Sequence, residues 1–363
     1  MPELRWDEIS GEWVMVAPAR QGRPFGRRAA KAPCPFCCPP LEPYDVRLYP
    51  NDYPSLEATE RSREPGARSR GVFKKAQAYG YCDVVLYSPK HDLTFAELPL
   101  AQIEKVVALW QSRYEELRRD PKVCHVQIFE NKGATIGVTI SHPHGQIYAF
   151  PYVPPRIDRM AQSAAAHFKK TGRDLRGDLL AAELKARRRI VVNGRHFAAY
   201  VPFAAHWPYE VCIVPKHPMS DLSDLSDESD SARREFAAIL KTVAMKYDNL
   251  FGFSFPYMMT LFNSPLVPPS SPSPRRGGGV GGGRRPDEED LSWRFHVSFF
   301  PPFRAADKLK FRASVETAAG SFINDTLPEQ TAAALRAARP TLAQVLAGAK
   351  HRHFPPPPAG FCP

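Results

Sequence analysis

The chain has 363 residues, 43% of them hydrophobic and 24% charged, so it can bury a substantial core, which excludes wholesale disorder. Its 38 prolines disfavour a mostly helical bundle. The net charge of +11 suggests an anionic partner, but the basic residues are scattered and lack interleaved aromatics, so nucleic acid is not expected. We find no membrane-length apolar run and no signal-peptide pattern, and we expect a cytoplasmic protein.

Two stretches of the chain repeat the same order of elements. Residues 83–91 (DVVLYSPKH) and 210–217 (EVCIVPKH) each predict a short buried strand ending in Pro-Lys-His. A helix with one apolar stripe follows each strand. The stripes are Ile103, Val106, Val107, Trp110, Tyr114 and Leu117 in the first copy, and Phe236, Ile239, Leu240, Val243, Tyr247 and Leu250 in the second. Each helix is followed by a strand ending at Asn131 or Asn263, and a further strand closes each copy.

This repeat predicts an α+β protein of two domains, each an antiparallel sheet with packed helices, related by duplication. We expect the N-terminal domain over residues 1–155, a helical connector over 156–188 and the C-terminal domain over 189–340. Residues 264–290 are rich in Pro, Ser, Gly and charge and are expected to form a disordered insertion. Residues 341–363 are expected to form a Pro-rich tail.

The segment NKGATIGVTISHPHGQ, from Asn131 to Gln146, is the densest in chemically useful residues. Its glycines allow a tight loop whose backbone N–H groups can approach an anion. In an extended strand His142, His144 and Gln146 face the same side, where polar side chains are costly unless they bind something or satisfy one another. Neutral imidazole attacks phosphorus near pH 7 and gives a labile phosphohistidine, which suits a reversible transferase.

A second candidate site is the metal-type knuckle Cys34-Pro-Phe-Cys37. It lacks a second Cys pair, so further ligands must come from elsewhere, and His91 and His142 are the candidates. The alternatives are a redox-active pair and a structural role for His91. Cys38 adds an ambiguity because it is a second thiol beside the knuckle.

The His142-Pro-His144-Gly-Gln146 run, with Cys-Pro-Phe-Cys ahead of it, closely resembles the galactose-1-phosphate uridylyltransferase family of the histidine-triad superfamily. More modest matches cover most of the chain, and they include Asn51-Asp52-Tyr53-Pro54, Trp207-Pro-Tyr-Glu210, Phe255-Pro-Tyr257-Met, Trp293-Arg-Phe-His296 and Lys310-Phe311. The resemblance implies two tandem histidine-triad-like domains.

The resemblance also implies a ping-pong reaction. UDP-glucose binds, His144 attacks the α-phosphorus, glucose 1-phosphate leaves, and galactose 1-phosphate takes the uridylyl group to give UDP-galactose. Gln146 stands where hydrolase-like relatives carry a third histidine, and it would hydrogen-bond the phosphoryl oxygens. The implied binding residues are Arg20, Arg23, Asn51 and Asp52 for the nucleotide, Asn131, Gly137 and Thr139 for the phosphates, and Lys310, Phe311 and Glu316 for the sugar phosphate. A homodimer is implied, because the second copy supplies hexose contacts to a partner's site in this family.

The metal content follows from the same resemblance. One structural zinc ion would be held by Cys34, Cys37, His91 and His142 and would fix the strand that carries His144. Some members bind a second metal through a Glu and three His.

This chain departs from that second-metal pattern. Phe262 and Ser298 fill two of the positions, only His296 is retained, and the Glu position falls near Met160. We therefore expect no second metal. A Gln that is usual in the hexose-contacting segment is missing around Phe322, which leaves the hexose preference open.

Two competing hypotheses remain. A related nucleotidyltransferase or phosphorylase would act on an ADP-sugar or a dinucleoside polyphosphate with the same histidine chemistry. A zinc-bearing protein that binds nucleic acid would use its histidines structurally and show salt-sensitive binding without turnover. His125, His167, His196 and His206 have no partner at a chemical spacing and are not predicted as ligands.

Overall fold

The computed structural model describes residues 2–22, 34–38, 41–58, 71–226, 228–267 and 291–347. Its strands are β1 (Glu3–Asp7), β2 (Glu12–Val16), β3 (Arg47–Pro50), β4 (Lys75–Gln77), β5 (Tyr81–Leu86), β6 (His125–Lys132), β7 (His144–Phe150), β8 (Ile190–Asn193), β9 (Phe197–Tyr200), β10 (Val211–Pro215), β11 (Tyr257–Phe262), β12 (His296–Phe300), β13 (Phe303–Ala305) and β14 (Lys308–Leu309). Its α-helices are α1 (Leu100–Leu117), α2 (Pro155–Thr171), α3 (Leu175–Ala186), α4 (Asp230–Phe251), α5 (Pro328–Ala337) and α6 (Leu342–Ala347). The α+β class is confirmed.

One antiparallel sheet of nine strands runs through both halves of the chain, in the order β3-β5-β7-β6-β11-β12-β10-β9-β8. The two halves meet where β6 pairs with β11, with Asn131 opposite Met258. Outward from this seam the order is β6-β7-β5 on one side and β11-β12-β10 on the other, which is the predicted repeat. The two predicted sheets are thus halves of a single sheet, a join that the sequence pattern did not indicate.

Helices α1 and α4 pack against each other and against one face of this sheet, where they build the main core. The predicted stripe of α1 is buried throughout, and that of α4 is buried except for the half-buried Leu250. The start of α4 is capped by Ser229, whose hydroxyl accepts the N–H of Ala232 at 3.3 Å. Its end is marked by Gly252 at φ 76°, a conformation that glycine adopts without steric cost.

The opposite face of the sheet is covered differently in its two halves. In the second half, α2 packs Ile157 against Phe262 and Phe300, and α3 packs Leu180 against Cys212. In the first half the cover comes from the small sheet β2-β1-β4 and from the loop that contains the cysteine knuckle. The polar residues of β7 lie on this face of the first half.

Two predicted segments fall largely outside the described residues. Of the expected insertion, residues 268–290 lie outside them, whereas Ser264 is buried and donates its N–H to the Ser220 carbonyl at 3.0 Å. The packed structure therefore extends past the predicted boundary at 264. Of the expected tail, residues 348–363 lie outside, and α6 forms its beginning. The domain boundaries stay predictions. In the described part of the chain, no helix has the length and apolar character to cross a membrane.

Candidate active site and metal centre

Strand β7 presents His144 and Gln146 on the sheet face opposite α1 and α4. Gln146 lies opposite Phe129 of β6, and continuing that register places Asn131 opposite His144. Since side chains alternate along a strand, both β7 residues point to the same face, and both are half-buried. The structure thus brings the predicted nucleophile, its glutamine and one predicted phosphate-binding residue to the same place.

The hydrogen bond of His144 determines which of its ring nitrogens can react. Nδ1 lies 2.7 Å from the backbone carbonyl oxygen of His142. A carbonyl oxygen only accepts, so Nδ1 carries the proton and Nε2 carries the lone pair. The same carbonyl stabilises the positive charge that the ring gains when Nε2 forms a bond. This geometry suits a nucleophilic histidine.

The glycine between His144 and Gln146 is required by a close contact. A Cβ atom at Gly145 would overlap the hydroxyl group of Tyr87, which is fully buried on the opposite face of the sheet. Any larger residue would push β7 away from β5 or displace the Tyr87 ring. The Gly of the His-Gly-Gln run therefore has a packing role as well as its place in the motif.

The candidate metal ligands converge as the sequence analysis expected. Cys34, Cys37, His91 and His142 each offer one ligand atom, and these four atoms lie within 4.8 Å of one another. Sγ of Cys37 lies 3.5 Å from Nδ1 of His91 and 3.3 Å from Nδ1 of His142. Two thiols and two imidazoles at this spacing are a donor set that can hold a tetrahedral metal ion.

The two histidines of this cluster are oriented by residues that the sequence analysis missed. Nε2 of His142 donates to the Ser88 carbonyl at 2.8 Å, and Nε2 of His91 lies 2.9 Å from Oγ of Ser141. These contacts turn both Nδ1 atoms toward the sulfurs, as outer-shell partners of metal-bound histidines do. Ser141 directly precedes His142, and that adjacency was the only sequence signal for it.

Protonation in the cluster follows from burial. Desolvation raises the pKa of Cys34 to about 11 when no cation is present. It also lowers the pKa of His142, so that ring is neutral and able to ligate. A bound cation would be needed to hold the Cys34 thiol as a thiolate at neutral pH.

The knuckle also contacts His144, the predicted nucleophile, through Phe36. The Phe36 ring centroid lies 5.6 Å from that of His142 and 5.8 Å from that of His144. One aromatic side chain, held between two cysteines, thus packs against both histidines. Phe36 therefore links the packing of the knuckle to the position of the His144 ring.

The loop between β6 and β7 contains the predicted phosphate-binding residues. Asn131 pairs with Met258 one residue before the end of β6, and Gly137 closes a short 3₁₀ turn (Ala134–Ile136) at φ 82°. Gly133 has φ 105° and packs so closely on Pro256 that a Cβ would clash. Thr139 is half-buried farther along the loop. The tight loop that the glycines predicted is present.

The predicted nucleotide-side residues approach the same sheet face. Nη1 of Arg20 donates to the Tyr53 carbonyl at 2.9 Å and reaches the Tyr148 hydroxyl at 3.5 Å. Oδ1 of Asn51 accepts the N–H of Tyr53 at 2.9 Å, and Asp52 is exposed beside it. Tyr148 lies two residues beyond Gln146, on the same face. The predicted Arg23 lies outside the described residues.

The predicted sugar-phosphate residues follow β14. Nζ of Lys310 forms an ion pair with Glu316 at 2.6 Å, and both side chains are largely buried. Phe311 between them is 57% exposed. Lys310 and Glu316 therefore lie side by side, and the ring of Phe311 is largely exposed to solvent.

Apolar side chains surround the region matched to a second metal site. The His296 ring stacks on Phe262 at 4.5 Å, with Trp293 at 5.9 Å. Met160 packs against the edge of this cluster, and Ser298 is buried. Burial lowers the pKa of His296 well below its usual value, so the ring is neutral. The expectation of no second metal stays a prediction.

One antiparallel sheet built from two like halves, with His144 and Gln146 on the first half, agrees with the tandem histidine-triad-like class that the sequence resembles. The chain matches the model described as "Galactose-1-phosphate uridyl transferase, N-terminal domain" over residues 41–154 and the C-terminal domain model of the same enzyme over residues 160–353. The chain belongs to the galactose-1-phosphate uridylyltransferase family.

Individual relatives agree with this assignment. A galactose-1-phosphate uridylyltransferase of Thermotoga maritima is 39% identical over 344 residues, which cover 93% of this chain and 98% of the relative. One from Saccharomyces cerevisiae is 30% identical over 362 residues, with 92% and 93% covered. The similarity therefore extends over nearly the whole length of both proteins.

Solved structures give the same fold. One described as a uridylyltransferase superposes with a TM-score of 0.77 at 30% identity and covers 93% of this chain and 98% of its own. An ADP-glucose phosphorylase from Arabidopsis thaliana has a TM-score of 0.64 at 24% identity, with the same coverage. The second likeness concerns the fold alone.

Proposed function

We infer that this chain is a nucleotidyltransferase that moves the uridylyl group of UDP-glucose to galactose 1-phosphate through a uridylyl-histidine on His144. The observation that carries the proposal is the 2.7 Å contact from Nδ1 of His144 to the His142 carbonyl, which places the lone pair on Nε2. Family membership supplies the substrates. The enzyme belongs to galactose metabolism.

The proposed reaction has two displacements. Nε2 of His144 forms a bond to the α-phosphorus of UDP-glucose, and the bond from that phosphorus to the bridging oxygen breaks, so glucose 1-phosphate leaves with the electron pair. A phosphate oxygen of galactose 1-phosphate then attacks the same phosphorus, and Nε2 is released with its lone pair. Gln146, on the same strand face, donates its amide to the phosphoryl oxygens.

We propose that the metal is one structural zinc ion held by Cys34, Cys37, His91 and His142. The convergence of their ligand atoms within 4.8 Å and the outer contacts of both histidines support this. The bound ion would supply the charge that keeps the cysteines as thiolates. The protein's own contribution is positional, because His142 lies two residues from His144 and its carbonyl orients the nucleophile.

The binding roles of the remaining site residues are also part of this proposal. Arg20, Asn51 and Asp52 contact the uridine side, and Asn131, Gly137 and Thr139 contact the phosphates. The positions of two of these residues support the roles, since Arg20 reaches Tyr148 of β7 and Asn131 lies opposite His144.

We propose a homodimer in which Lys310, Phe311 and Glu316 contact the hexose phosphate in the partner's site. The exposure of Phe311 (57%), Val315 (47%) and Ile323 (52%) along one segment supports an interface there. A cytoplasmic location is kept as a prediction from the sequence.

An exchange assay with purified protein tests the substrates. With galactose 1-phosphate as acceptor, UDP-glucose is expected to give UDP-galactose at a rate at least about 100-fold above that of ADP-glucose, which corresponds to about 2.7 kcal/mol of discrimination. Faster turnover of ADP-glucose would replace this function by an adenine-nucleotide transferase. Turnover of neither donor would contradict both.

A further inference from the structure

Lys132 directly follows Asn131, a predicted phosphate-binding residue, but its side chain lies on the other face of the sheet. Side chains alternate along β6, so Asn131 shares the face of His144 while Lys132 points toward the core. Lys132 is buried, and its ammonium group lies 5.3 Å from the ring of Tyr257, the residue opposite it on β11. A lysine in a phosphate-binding segment often binds the phosphate itself. The ammonium group of Lys132 is instead directed away from that face.

The partner of Lys132 is the carboxylate of Asp248, in the last turn of α4. Nζ of Lys132 lies 3.0 Å from Oδ1 and 3.3 Å from Oδ2 of Asp248, whose side chain is fully buried. Removing either member of such a pair leaves an uncompensated charge in the core, so the pair resists separation. Since α4 belongs to the second half of the chain, this ion pair ties the end of β6 to the second half.

Asp248 reaches the loop between β6 and β7 by a second route. Its Oδ1 also accepts the N–H of Phe255 at 2.7 Å, which orders the segment between α4 and β11. The next residue, Pro256, packs so closely on Gly133 that a Cβ atom there would lie 2.7 Å from Cβ of Pro256. The carboxylate thus binds the first residue after Asn131 and supports the second one through Phe255 and Pro256.

We propose that Asp248 is a positioning residue of the transferase site, which holds the phosphate-binding loop in place from the opposite face of the sheet. It acts through the backbone, because Lys132 and Gly133 continue directly from Asn131. Backbone N–H groups and short side chains bind a phosphate well only when their geometry is already fixed. The inference rests on the proposed phosphate-binding role of this loop. We call the set of residues that fixes the loop the Asp248 clamp: Asp248, Lys132, Phe255 and Pro256.

Binding of UDP to the full-length protein, measured by calorimetry, tests the clamp. Asp248→Asn keeps an acceptor for the Phe255 N–H but removes the charge that holds Lys132, and Lys132→Met removes the other partner. Each variant should weaken the Kd for UDP about tenfold or more, because the loop loses its fixed geometry. The double variant should bind UDP about as well as the weaker single variant, since both changes break the same interaction.

Lys241→Met is the matched control. Lys241 is a fully buried lysine about two turns before Asp248 on α4, and its Nζ donates to the Leu98 carbonyl at 2.6 Å. Its replacement should lower the melting temperature and change the Kd for UDP less than about twofold.

Hydrogen exchange without any ligand gives a second readout. The amide of Gly137 donates to the Ala134 carbonyl at 3.0 Å within the loop. This amide should exchange about tenfold faster in both clamp variants than in the parent protein, and at nearly the parent rate in Lys241→Met.

Three results would overturn the proposal. If Lys132→Met weakens UDP binding while Asp248→Asn leaves it unchanged or strengthens it, Lys132 binds the phosphate itself. If both clamp variants lower the melting temperature but keep the parent Kd and the parent exchange rate of Gly137, the ion pair has a structural role alone. If Lys241→Met changes both readouts as much as the clamp variants do, the effect is a general loss of core stability. A parent protein that does not bind UDP would contradict the proposed function, and the Gly137 exchange rates would then decide this inference.

Discussion

In the first half of the sheet His144 begins β7, and its Nδ1 donates to the carbonyl two residues earlier at 2.7 Å. In the second half His296 begins β12, and its Nδ1 lies 3.0 Å from the Arg294 carbonyl, again two residues earlier. The two histidines thus share one local geometry. They differ in solvent exposure. His296 is 2% exposed beneath α2, whereas His144 is half-buried beside a loop. Under the proposed mechanism, the difference in access, and not the hydrogen bond that both rings share, makes His144 the reacting histidine.

Replacing the two histidines separately gives the largest contrast. His144→Asn should lower transfer by about 10³-fold or more, because no lone pair remains to attack phosphorus. His296→Asn should leave kcat nearly unchanged and lower the free energy of unfolding by about 1–3 kcal/mol, since it disturbs a buried hydrogen bond and stacked ring. Steady-state rates and denaturant unfolding measure the two effects. Equal losses of activity in both variants would break the comparison.

Replacing a candidate metal ligand should affect metal binding and the site at His144, both of which lie in the first half of the sheet. Cys37→Ser should lower metal affinity by more than the ~10–100-fold expected for losing an outer-shell partner. Activity should fall with it, because His142 would no longer be held. Cys38→Ser is the matched control, since Cys38 is an exposed neighbouring thiol outside the four-ligand cluster. Elemental analysis and thermal unfolding are the measurements, and unchanged metal content in Cys37→Ser would refute the site.

The close contact between Gly145 of β7 and the Tyr87 hydroxyl can be tested by adding a methyl group at position 145. Gly145→Ala should cost about 1–3 kcal/mol of stability, because its methyl group meets the Tyr87 hydroxyl. Adding Tyr87→Phe should restore part of that loss, while Tyr87→Phe alone should be nearly neutral. A double-mutant cycle by urea unfolding measures the coupling. Strict additivity of the two changes would show that the contact does not limit the strand's position.

The seam between the halves contains a buried acid whose titration should be visible in stability. Glu130 of β6 accepts from the Tyr257 hydroxyl of β11 at 3.2 Å, beside the Lys132–Asp248 ion pair. Burial raises the pKa of Glu130 to about 8 from 4.5. The folded state thus keeps a proton that the unfolded state releases, so stability should fall as the pH rises from 4.5 to 8.

Glu130→Gln should remove this pH dependence, which amounts to at most about 1.4 kcal/mol per pH unit. Urea unfolding of both proteins across this pH range measures it. Parallel profiles for the two proteins would show that Glu130 does not titrate as described.

Much of this architecture could be predicted because it depends on the pattern of residues that are close together in sequence. The helix stripes, the shared face of His144 and Gln146, and the tight glycine loop all follow from local periodicity and backbone preference. The convergence of the four candidate metal ligands was correctly expected from residue type, and the resemblance favoured the same four residues over a redox-active cysteine pair.

The remaining features depend on long-range packing that no local pattern contains. Pairing of β6 with β11 joins residues more than a hundred positions apart, and the close approach of Tyr87 to Gly145, which leaves no room for a Cβ, exists only when β5 and β7 lie side by side.

The most direct test of the covalent mechanism is to incubate the protein with uracil-labelled UDP-glucose alone and to map any label. We expect one acid-labile, base-stable label on His144 of each chain, an equal amount of released glucose 1-phosphate, and removal of the label by galactose 1-phosphate as UDP-galactose. Full transfer activity without any protein-bound label, or a label on another residue, would contradict the account.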